Sequence, residues 1–419
     1  MLAVILIFIF VVTVAFFSEI HALGLWAFML ITHGFLVEQF GSSAIHLPML
    51  AGLSIIAITV IRGRIEFFRT NVWLLVMMLI ALMALSALMG MDPGRSITQL
   101  VLYSKGFLLA IFVACVLDDE NEIEVVTLYF IGATVLGATI AYYQQVAGAY
   151  VVDENSIVKR AGGLTNDPND TAMLLLTGVP LAVYWLIHAS TFHKRVLAAA
   201  ALVAVIGAIM LTQSRGGGLA MALVLFLLYL RKPSLNVSII GGVLLIVGLA
   251  LMPSDYWDRM ESLATIGDSK DGSLDIRYRL LAEGMRVFVE NPFTGVGIGN
   301  FGNALTAART GIYEDLVAHN MYLEFFAENG AFAGILFMGL LLVALLSSLR
   351  FDKFYGTKYS SYGLGFCVAM SLFGVLTNGL FLSQGQSAVL WFLIGIGLAF
   401  LKITNTYREY DAENAYSSA

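Results

Sequence analysis

The sequence predicts an all-α membrane protein with about twelve or thirteen transmembrane helices and one long hydrophilic loop. Hydrophobic residues make up 59% of the 419 positions and charged residues only 12%, whereas soluble domains carry about 25% charged residues. Apolar stretches of roughly 17–25 residues recur along the chain, and each can cross a hydrocarbon core about 30 Å thick. A soluble globular chain is therefore excluded. A formal charge of −6 without a basic run also excludes nucleic acid as a partner.

Hydropathy predicts thirteen candidate spans. In chain order they lie near residues 2–18, 22–38, 45–62, 72–90, 97–117, 123–147, 170–188, 195–212, 215–230, 237–252, 320–348, 361–382 and 387–402. The second span contains His33 and Glu38 and is the weakest, so we expect a tilted or re-entrant segment there.

The spans divide the chain into four parts. Residues 1–252 contain ten spans, 253–319 form a hydrophilic loop, 320–403 contain three spans, and 404–419 are a polar cytoplasmic tail that we expect to be disordered. The loop is too long for a simple connection between helices, so we expect it to fold as a cap. Its segment from Ile276 to Val289 has the periodicity of an amphipathic helix, which we expect to lie on the membrane surface.

Basic residues predict the orientation, because short cytoplasmic loops are rich in lysine and arginine. Every second loop is basic, through Arg62, Arg64, Arg69, Lys194, Arg195, Arg231, Lys232, Arg350, Lys353, Lys358, Lys402 and Arg408. The alternate loops then face the other side, which is the periplasm if the membrane is a bacterial inner membrane. Those loops nevertheless contain Lys159, Arg160, Arg215, Arg259, Arg277, Arg279, Arg286 and Arg309. Topology does not explain these residues, so we expect a function for some of them.

One such arginine, Arg215, lies in the turn Thr212–Gly218, among small residues at the membrane surface. Glycine allows close backbone approach to a ligand, and the planar guanidinium matches phosphate oxygens with two hydrogen bonds. A tight helical hairpin whose arginine meets lipid headgroups explains the turn equally well. The motif therefore needs support from other segments.

A second segment runs from Lys159 to Asp170 and enters the seventh span. Asn169 and Asp170 are typical helix caps, and a helix N-terminus with an arginine beside it favours an anion. Capping explains the asparagine and the aspartate, but it does not explain an arginine, Arg160, in a loop on the side opposite to the cytoplasm.

The third segment combines Arg277 and Arg279 with a glycine-rich stretch from Glu290 to Gly302. Gly297, Gly299 and Gly302 have the spacing of a dinucleotide fingerprint, but that fingerprint requires a preceding strand and a βαβ unit. We therefore expect these glycines to form a compact turn that packs the cap against the helices.

The fourth segment places His319 at the start of the eleventh span, followed by Glu324 and Glu328 on one helix face. Acidic side chains at this depth require a partner or a wet cavity, and a histidine can accept a proton near neutral pH. A histidine satisfied at the interface is the alternative. Lys105, inside the fifth span, is expected either to pair with an acidic residue or to line the same cavity.

Taken in order, the four segments resemble the O-antigen ligase and polymerase superfamily of bacterial envelope proteins. The matching positions are Arg160 through Pro168-Asn169, then Ser214-Arg215-Gly216, then Arg277 fifteen residues before the Pro292–Gly297 turn, and then His319-Asn320. The resemblance covers residues 155–345, and it implies a fold like that of the glycosyltransferase C class. It also implies transfer of a glycan from an undecaprenyl (polyprenyl) pyrophosphate carrier to an acceptor hydroxyl.

The resemblance further implies roles for single residues. Arg215 and Arg277 would clamp the pyrophosphate, and Arg160 would be a third contact or would dock the carrier. His319 would deprotonate or orient the acceptor hydroxyl, and Glu324 would orient His319 or bind substrate. Asn169, Arg279 and Lys105 complete the set expected to bind substrate, and Arg279 is the alternative to Arg277.

The far-side loops contain no Asp-x-Asp motif, so we expect neither a metal ion nor a cofactor. Three acceptors remain open: lipid A core (a ligase of lipopolysaccharide biosynthesis, which we favour slightly), a second glycan (a polymerase) and a protein hydroxyl. A membrane transporter is the competing class, although its site should lie near the midplane.

Overall fold

The computed structural model describes residues 1–65, 70–149, 151–152, 159–233, 272–307, 317–354 and 362–417. These residues form helices with two short strands between the seventh and eighth helices. The helices, in chain order, are α1 (Leu2–Phe17), α2 (Glu19–Ile31), α3 (His33–Phe40), a 3₁₀ turn (Gly41–Ala44), α4 (Leu47–Ile61), α5 (Val72–Met89), α6 (Pro93–Val116), α7 (Glu120–Ala147), α8 (Pro168–His188), α9 (Phe192–Leu211), α10 (Arg215–Arg231), α11 (Gly272–Glu290), α12 (Phe301–Ala307), α13 (Met321–Phe354), α14 (Leu364–Asn378) and α15 (Ala388–Ser417). The strands β1 (Val151–Val152) and β2 (Lys159–Arg160) pair antiparallel.

The predicted fold class, an all-α polytopic membrane protein, is confirmed. Seven helices in the described ranges are long and apolar enough to cross a membrane, and α1, α4 and α14 are shorter apolar helices. Twelve of the thirteen predicted spans coincide with helices, and the span at 237–252 lies outside the described residues. The weak second span is divided into α2 and α3, which meet at an angle of 71°.

The centre of the bundle is α15, of whose apolar window 83% is buried, compared with 22% for the peripheral α9. It packs closely on α6 because small residues line the contact. A Cβ atom at Gly106 would lie 2.4 Å from the ring of Trp391, and the Phe107 ring lies 4.5 Å from the same indole. On the other side, α13 contributes Phe337 to this aromatic core.

The helices alternate in direction, so that α6, α8, α10, α13 and α15 begin at one end of the bundle, named here the site end. At the opposite end lie the loops that the sequence predicts to be cytoplasmic, and basic residues there make ion pairs. Arg62 lies 2.6 Å from Glu19, and Lys402 lies 2.6 Å from Asp118. Among the lysines and arginines of the predicted loops, Arg69, Lys358, Arg259 and Arg309 lie outside the described residues.

The glycine-rich stretch forms the compact turn that the sequence predicts, and the turn binds the backbone of α13. The amides of Val296 and Gly297 donate to the carbonyls of Ala327 and Glu328 at 3.0 and 2.9 Å. These carbonyls are thereby diverted from the helical pattern, and α13 bends at Gly330, whose φ is 77°. The turn thus anchors the described part of the 253–319 loop to the bundle.

The amphipathic helix predicted at 276–289 is confirmed as α11. Leu280 and Val287 are buried in a small core shared with α12 and α13. A second row of apolar residues, Tyr278, Leu281, Met285 and Val289, is exposed. An exposed apolar row of this kind is expected for a helix at the membrane interface.

The expectation of a disordered tail over residues 404–419 is wrong for the part that the structure describes. Helix α15 continues without a break to Ser417. The apolar span ends well before that residue, and the polar sequence that follows it lacks a glycine or proline that would end a helix.

Candidate active site

The turn between α9 and α10 places Arg215 at the first position of α10. Ser214 caps this helix by accepting a hydrogen bond from the Gly217 amide at 3.1 Å. Gln213, just before the cap, has a φ of 51°, a conformation that is uncommon outside glycine and is often found at functional sites. Its buried Oε1 has no hydrogen-bond partner in the described residues. The turn therefore presents a guanidinium beside the positive end of a helix.

Arg160 joins this turn to the start of α8. Its guanidinium is buried, and it donates from Nε to the Thr212 carbonyl at 3.0 Å and from Nη2 to Asn169 Oδ1 at 2.9 Å. The same oxygen of Asn169 accepts from Ser214 Oγ at 2.9 Å. Arg160 and Asn169 thus hold the Arg215 turn in place, a role that was not expected from the sequence.

His319 lies in the turn that leads into α13 and has a φ of 49°. No described residue forms a hydrogen bond to its imidazole, although the neighbouring Asn320 caps α13 through the Leu323 amide at 2.9 Å. Burial lowers the pKa of His319 below its usual value, and the positive charge of Arg277 lowers it further, while Asp167 acts in the opposite direction. The neutral imidazole, which can accept a proton, is therefore favoured.

Arg277 and Arg279 both lie on α11, but in different surroundings. Arg277 is half-buried and close enough for its charge to act on His319. Arg279 is exposed. Arg286, a third arginine of this helix, is engaged with Glu283 at 2.8 Å and Glu290 at 2.7 Å. Among these arginines, Arg277 is the one that the structure brings to the histidine.

The connection between α14 and α15, residues 379–387, links these pieces, and the sequence pattern did not single it out. The Met321 amide donates to the Gly379 carbonyl at 2.8 Å. A Cβ atom at Gly216 would lie 3.0 Å from the Phe381 ring, so the connection also contacts the Arg215 turn. Farther along, Gln384 Nε2 donates to Asp170 Oδ1 at 2.6 Å.

Glu324 supports the histidine turn and does not contact the imidazole in the described structure. Its Oε2 accepts from the Ala318 amide at 2.9 Å and also from the Ser383 hydroxyl. The role expected from the sequence, orienting His319, is therefore possible only through the backbone. Glu324 and Glu328 line a polar cavity of about 220 Å³ directly beside this turn.

Lys105 lies in a different cavity from the arginines. It is exposed in an apolar cleft of about 500 Å³ that is lined mainly by residues of α2, α3, α4 and α6, including Trp26 and His33. The sequence predicted that Lys105 either pairs with an acidic residue or lines the cavity of Glu324 and Glu328. No acidic partner is found among the described residues, and the lysine lies in the neighbouring cleft. Gln386 lines both this cleft and the polar cavity, so the two adjoin.

The site end therefore combines His319, the nearby Arg277 and, across the connection 379–387, Arg215 at the N-terminus of α10. Such groups can remove a proton from a hydroxyl and stabilise developing negative charge on an oxygen leaving group. In the part of the chain that is described, no three His, Cys, Asp or Glu side chains come together as metal ligands.

Residues 199–338 match a family model described as O-Antigen ligase. The match contains Arg215, Arg277, His319 and Glu324, while Lys105, Arg160 and Asn169 lie before it. A search of curated proteins finds no match. The family match confirms the resemblance of this region to the O-antigen ligase and polymerase superfamily, and this chain is thus a multi-pass helical membrane protein whose residues 199–338 are similar to the O-antigen ligase family.

Proposed function

We propose that the protein transfers a glycan from a polyprenyl pyrophosphate carrier to an acceptor hydroxyl, and that this reaction takes place at the site end of the bundle. The O-antigen ligase match supports glycan transfer of the ligase or polymerase type. The observation that carries the more specific proposal is the juxtaposition of His319, whose imidazole has no hydrogen-bond partner among the described residues, with the charge of Arg277. The site end faces the periplasm in this proposal.

In the reaction, the neutral His319 accepts the proton of the acceptor hydroxyl as its oxygen attacks the anomeric carbon. The bond between this carbon and the pyrophosphate oxygen breaks, and the pyrophosphate leaves with the electron pair. Arg215, Arg277 and the N-terminus of α10 stabilise the charge that develops on this leaving group. Attack from the side opposite the leaving group inverts the anomeric centre. The residues invoked require no metal ion.

Arg160 and Asn169 act as positioning residues in this scheme, because their hydrogen bonds hold the Arg215 turn. The positive charge of Arg160 adds to the field at the pyrophosphate. Arg279, which is exposed, contributes by attracting the anionic carrier to this surface.

We assign the isoprenoid chain of the carrier to the apolar cleft that contains Lys105. The cleft is open to the surface of the bundle, its lining is mainly apolar, and it adjoins the polar cavity at Gln386. Lys105 then contacts the carrier on its way to the arginines. Membrane lipid would fill the cleft when no carrier is bound.

Two substitutions test the proposal. Arg215→Ala removes one guanidinium, and we expect transfer to fall about 10²–10³-fold, as for loss of one group that stabilises an oxyanion. His319→Asn removes the base but retains a residue that tolerates a positive φ, and we expect a loss of about 10²–10⁴-fold. Arg350→Ala and His193→Ala, which change exposed residues at the opposite end, serve as controls and should retain activity.

The assay uses the purified protein in liposomes with a lipid-linked glycan and candidate acceptors. One added glycan per acceptor indicates a ligase acting on lipid A core or on a protein, and a ladder of products indicates a polymerase. Movement of the glycan across the bilayer without covalent change indicates a transporter. Wild-type rates in both Arg215→Ala and His319→Asn would contradict the proposal.

A further inference from the structure

The polar cavity beside the His319 turn is not lined by Arg160, Arg215 or Arg277. Its side chains include two carboxyl groups (Glu324, Glu328), one guanidinium (Arg95), one phenol (Tyr103) and two amides (Gln99, Gln386). The volume of about 220 Å³ is below the roughly 300–1,000 Å³ of pockets for drug-sized ligands. It is adequate for a single sugar ring.

One side chain in this cavity indicates that a ligand belongs there. Tyr103 is only 5% exposed, and its hydroxyl has no hydrogen-bond partner among the described residues. The oxygen is not fully enclosed by protein, because Tyr103 lines the cavity. A buried hydroxyl without a partner is energetically costly. Its ring is fixed on α6 by edge contact with the Phe325 ring, whose centre lies 5.9 Å away. The unpaired oxygen therefore opens onto the cavity in a defined orientation.

The carboxyl groups are also held in place. Glu324 accepts hydrogen bonds from the Ala318 amide and the Ser383 hydroxyl, and Glu328 Oε1 accepts from the Phe301 amide at 3.3 Å. These bonds come from three different segments and leave acceptor capacity on each carboxyl group, since a carboxylate has about four lone-pair sites. The cavity thus presents fixed acceptors alongside the donors of its amides and guanidinium.

The connection 379–387 separates the cavity from Arg160 and Arg215. Ser383 and Gln386 face the cavity, whereas Gln384 binds Asp170 beside the Arg160 network. The cavity reaches the turn that carries His319, because Val317 lines the cavity and the Ala318 amide donates to Glu324. A sugar in the cavity would therefore lie next to the base, with the pyrophosphate on the other side of the connection.

We infer that this cavity binds one uncharged sugar residue next to the bond that is made, through Tyr103, Glu324 and Glu328. The inference rests on the proposed function. The donors and acceptors of the cavity match the hydroxyl groups of a sugar ring, and an acidic sugar would bury a third carboxyl group beside Glu324 and Glu328. The sugar comes either from the donor glycan or from the acceptor.

The test compares Tyr103→Phe with the wild type in the liposome transfer assay. This substitution removes only the unpaired hydroxyl and preserves the aromatic packing. We expect a two- to tenfold rise in the KM for the substrate whose sugar occupies the cavity, which is the size of one neutral hydrogen bond, with kcat nearly unchanged. A rise for the lipid-linked donor assigns the cavity to the donor, and a rise for the acceptor assigns it to the acceptor.

The control is Tyr184→Phe, which removes a buried hydroxyl that donates to Glu124 at the opposite end. It should lower the melting temperature without changing either KM. In parallel, substrates carrying a hexose at the reacting position should be used at least tenfold more efficiently than those carrying the corresponding hexuronic acid. Unchanged KM values for both substrates in Tyr103→Phe, or equal use of neutral and acidic sugars, would overturn the inference.

A binding measurement separates this inference from the proposed function. Titration of the detergent-solubilised wild-type protein and of Tyr103→Phe with methyl glucoside should show weaker binding to the variant. If the wild type transfers no glycan but still binds the glycoside in a manner that depends on Tyr103, the proposed reaction fails and the sugar site remains. If transfer occurs and neither KM nor glycoside binding depends on Tyr103, only the sugar site fails.

Discussion

Replacing Asn169 with alanine tests the network that holds the Arg215 turn. Asn169 Oδ1 accepts from Arg160 Nη2 and from Ser214 Oγ, both at 2.9 Å. A hydrogen bond to a charged group contributes about 1.5–3 kcal/mol, and a neutral one about 0.5–1.5 kcal/mol. The substitution therefore removes about 2–4.5 kcal/mol of positioning energy from the turn.

If this energy is expressed fully in the transition state, the transfer rate falls roughly 30- to 2,000-fold, at 1.36 kcal/mol for each factor of ten. The assay is transfer of a lipid-linked glycan in proteoliposomes, measured at saturating and at limiting donor, with the melting temperature as a check on folding. Asn166→Ala changes an exposed residue of the same loop and serves as the control. A folded Asn169→Ala protein with the wild-type rate would refute the positioning role of this network.

Three further predictions concern acid–base behaviour and packing. Because only the neutral His319 accepts a proton, kcat/KM should rise with pH through the pKa of His319, which burial and Arg277 hold below its usual value, and should then level off. Arg277→Gln removes a charge that opposes the imidazolium, so the pKa should rise and the midpoint of the pH profile should move to higher pH; an unchanged midpoint would argue against the contact. Gly297 has a φ of 94°, and a Cβ atom there would lie 2.6 Å from the Gly90 Cα atom, so Gly297→Ala should destabilise the protein by about 2–5 kcal/mol. Gly218→Ala, where a Cβ meets open space within a helix, should leave the melting temperature unchanged or raise it slightly, and equal effects of the two alanines would contradict this account.

The helices could be predicted from the sequence because hydropathy and periodicity are local properties. Twelve of the predicted apolar spans coincide with helices, to within a few residues at most ends, and the polar His33 marked the break between α2 and α3. The period of α11 was equally clear, since its apolar residues recur at helical spacing. The prediction of disorder beyond residue 404 is wrong, because this polar segment contains good helix formers.

The candidate site was predicted only in part. Arg160, Arg215, Arg277 and His319 were indicated by their charge and order along the chain. Their pairings were not, because each partner comes from a distant segment. Nothing local distinguishes the connection 379–387, although its residues bind both the histidine turn and the start of α8.

The sequence by itself thus determined that the chain is a helical membrane protein and that unusual basic residues collect in alternate loops. Only the tertiary structure decided which of these residues lie close together. It assigned Arg160 to the support of the Arg215 turn, brought Arg277 to His319, and placed Lys105 in a separate apolar cleft. The physical reason is that a span forms when contiguous residues transfer from water to lipid, which is a local property. A site depends on contacts between distant helices, and hydropathy does not encode how those helices pack.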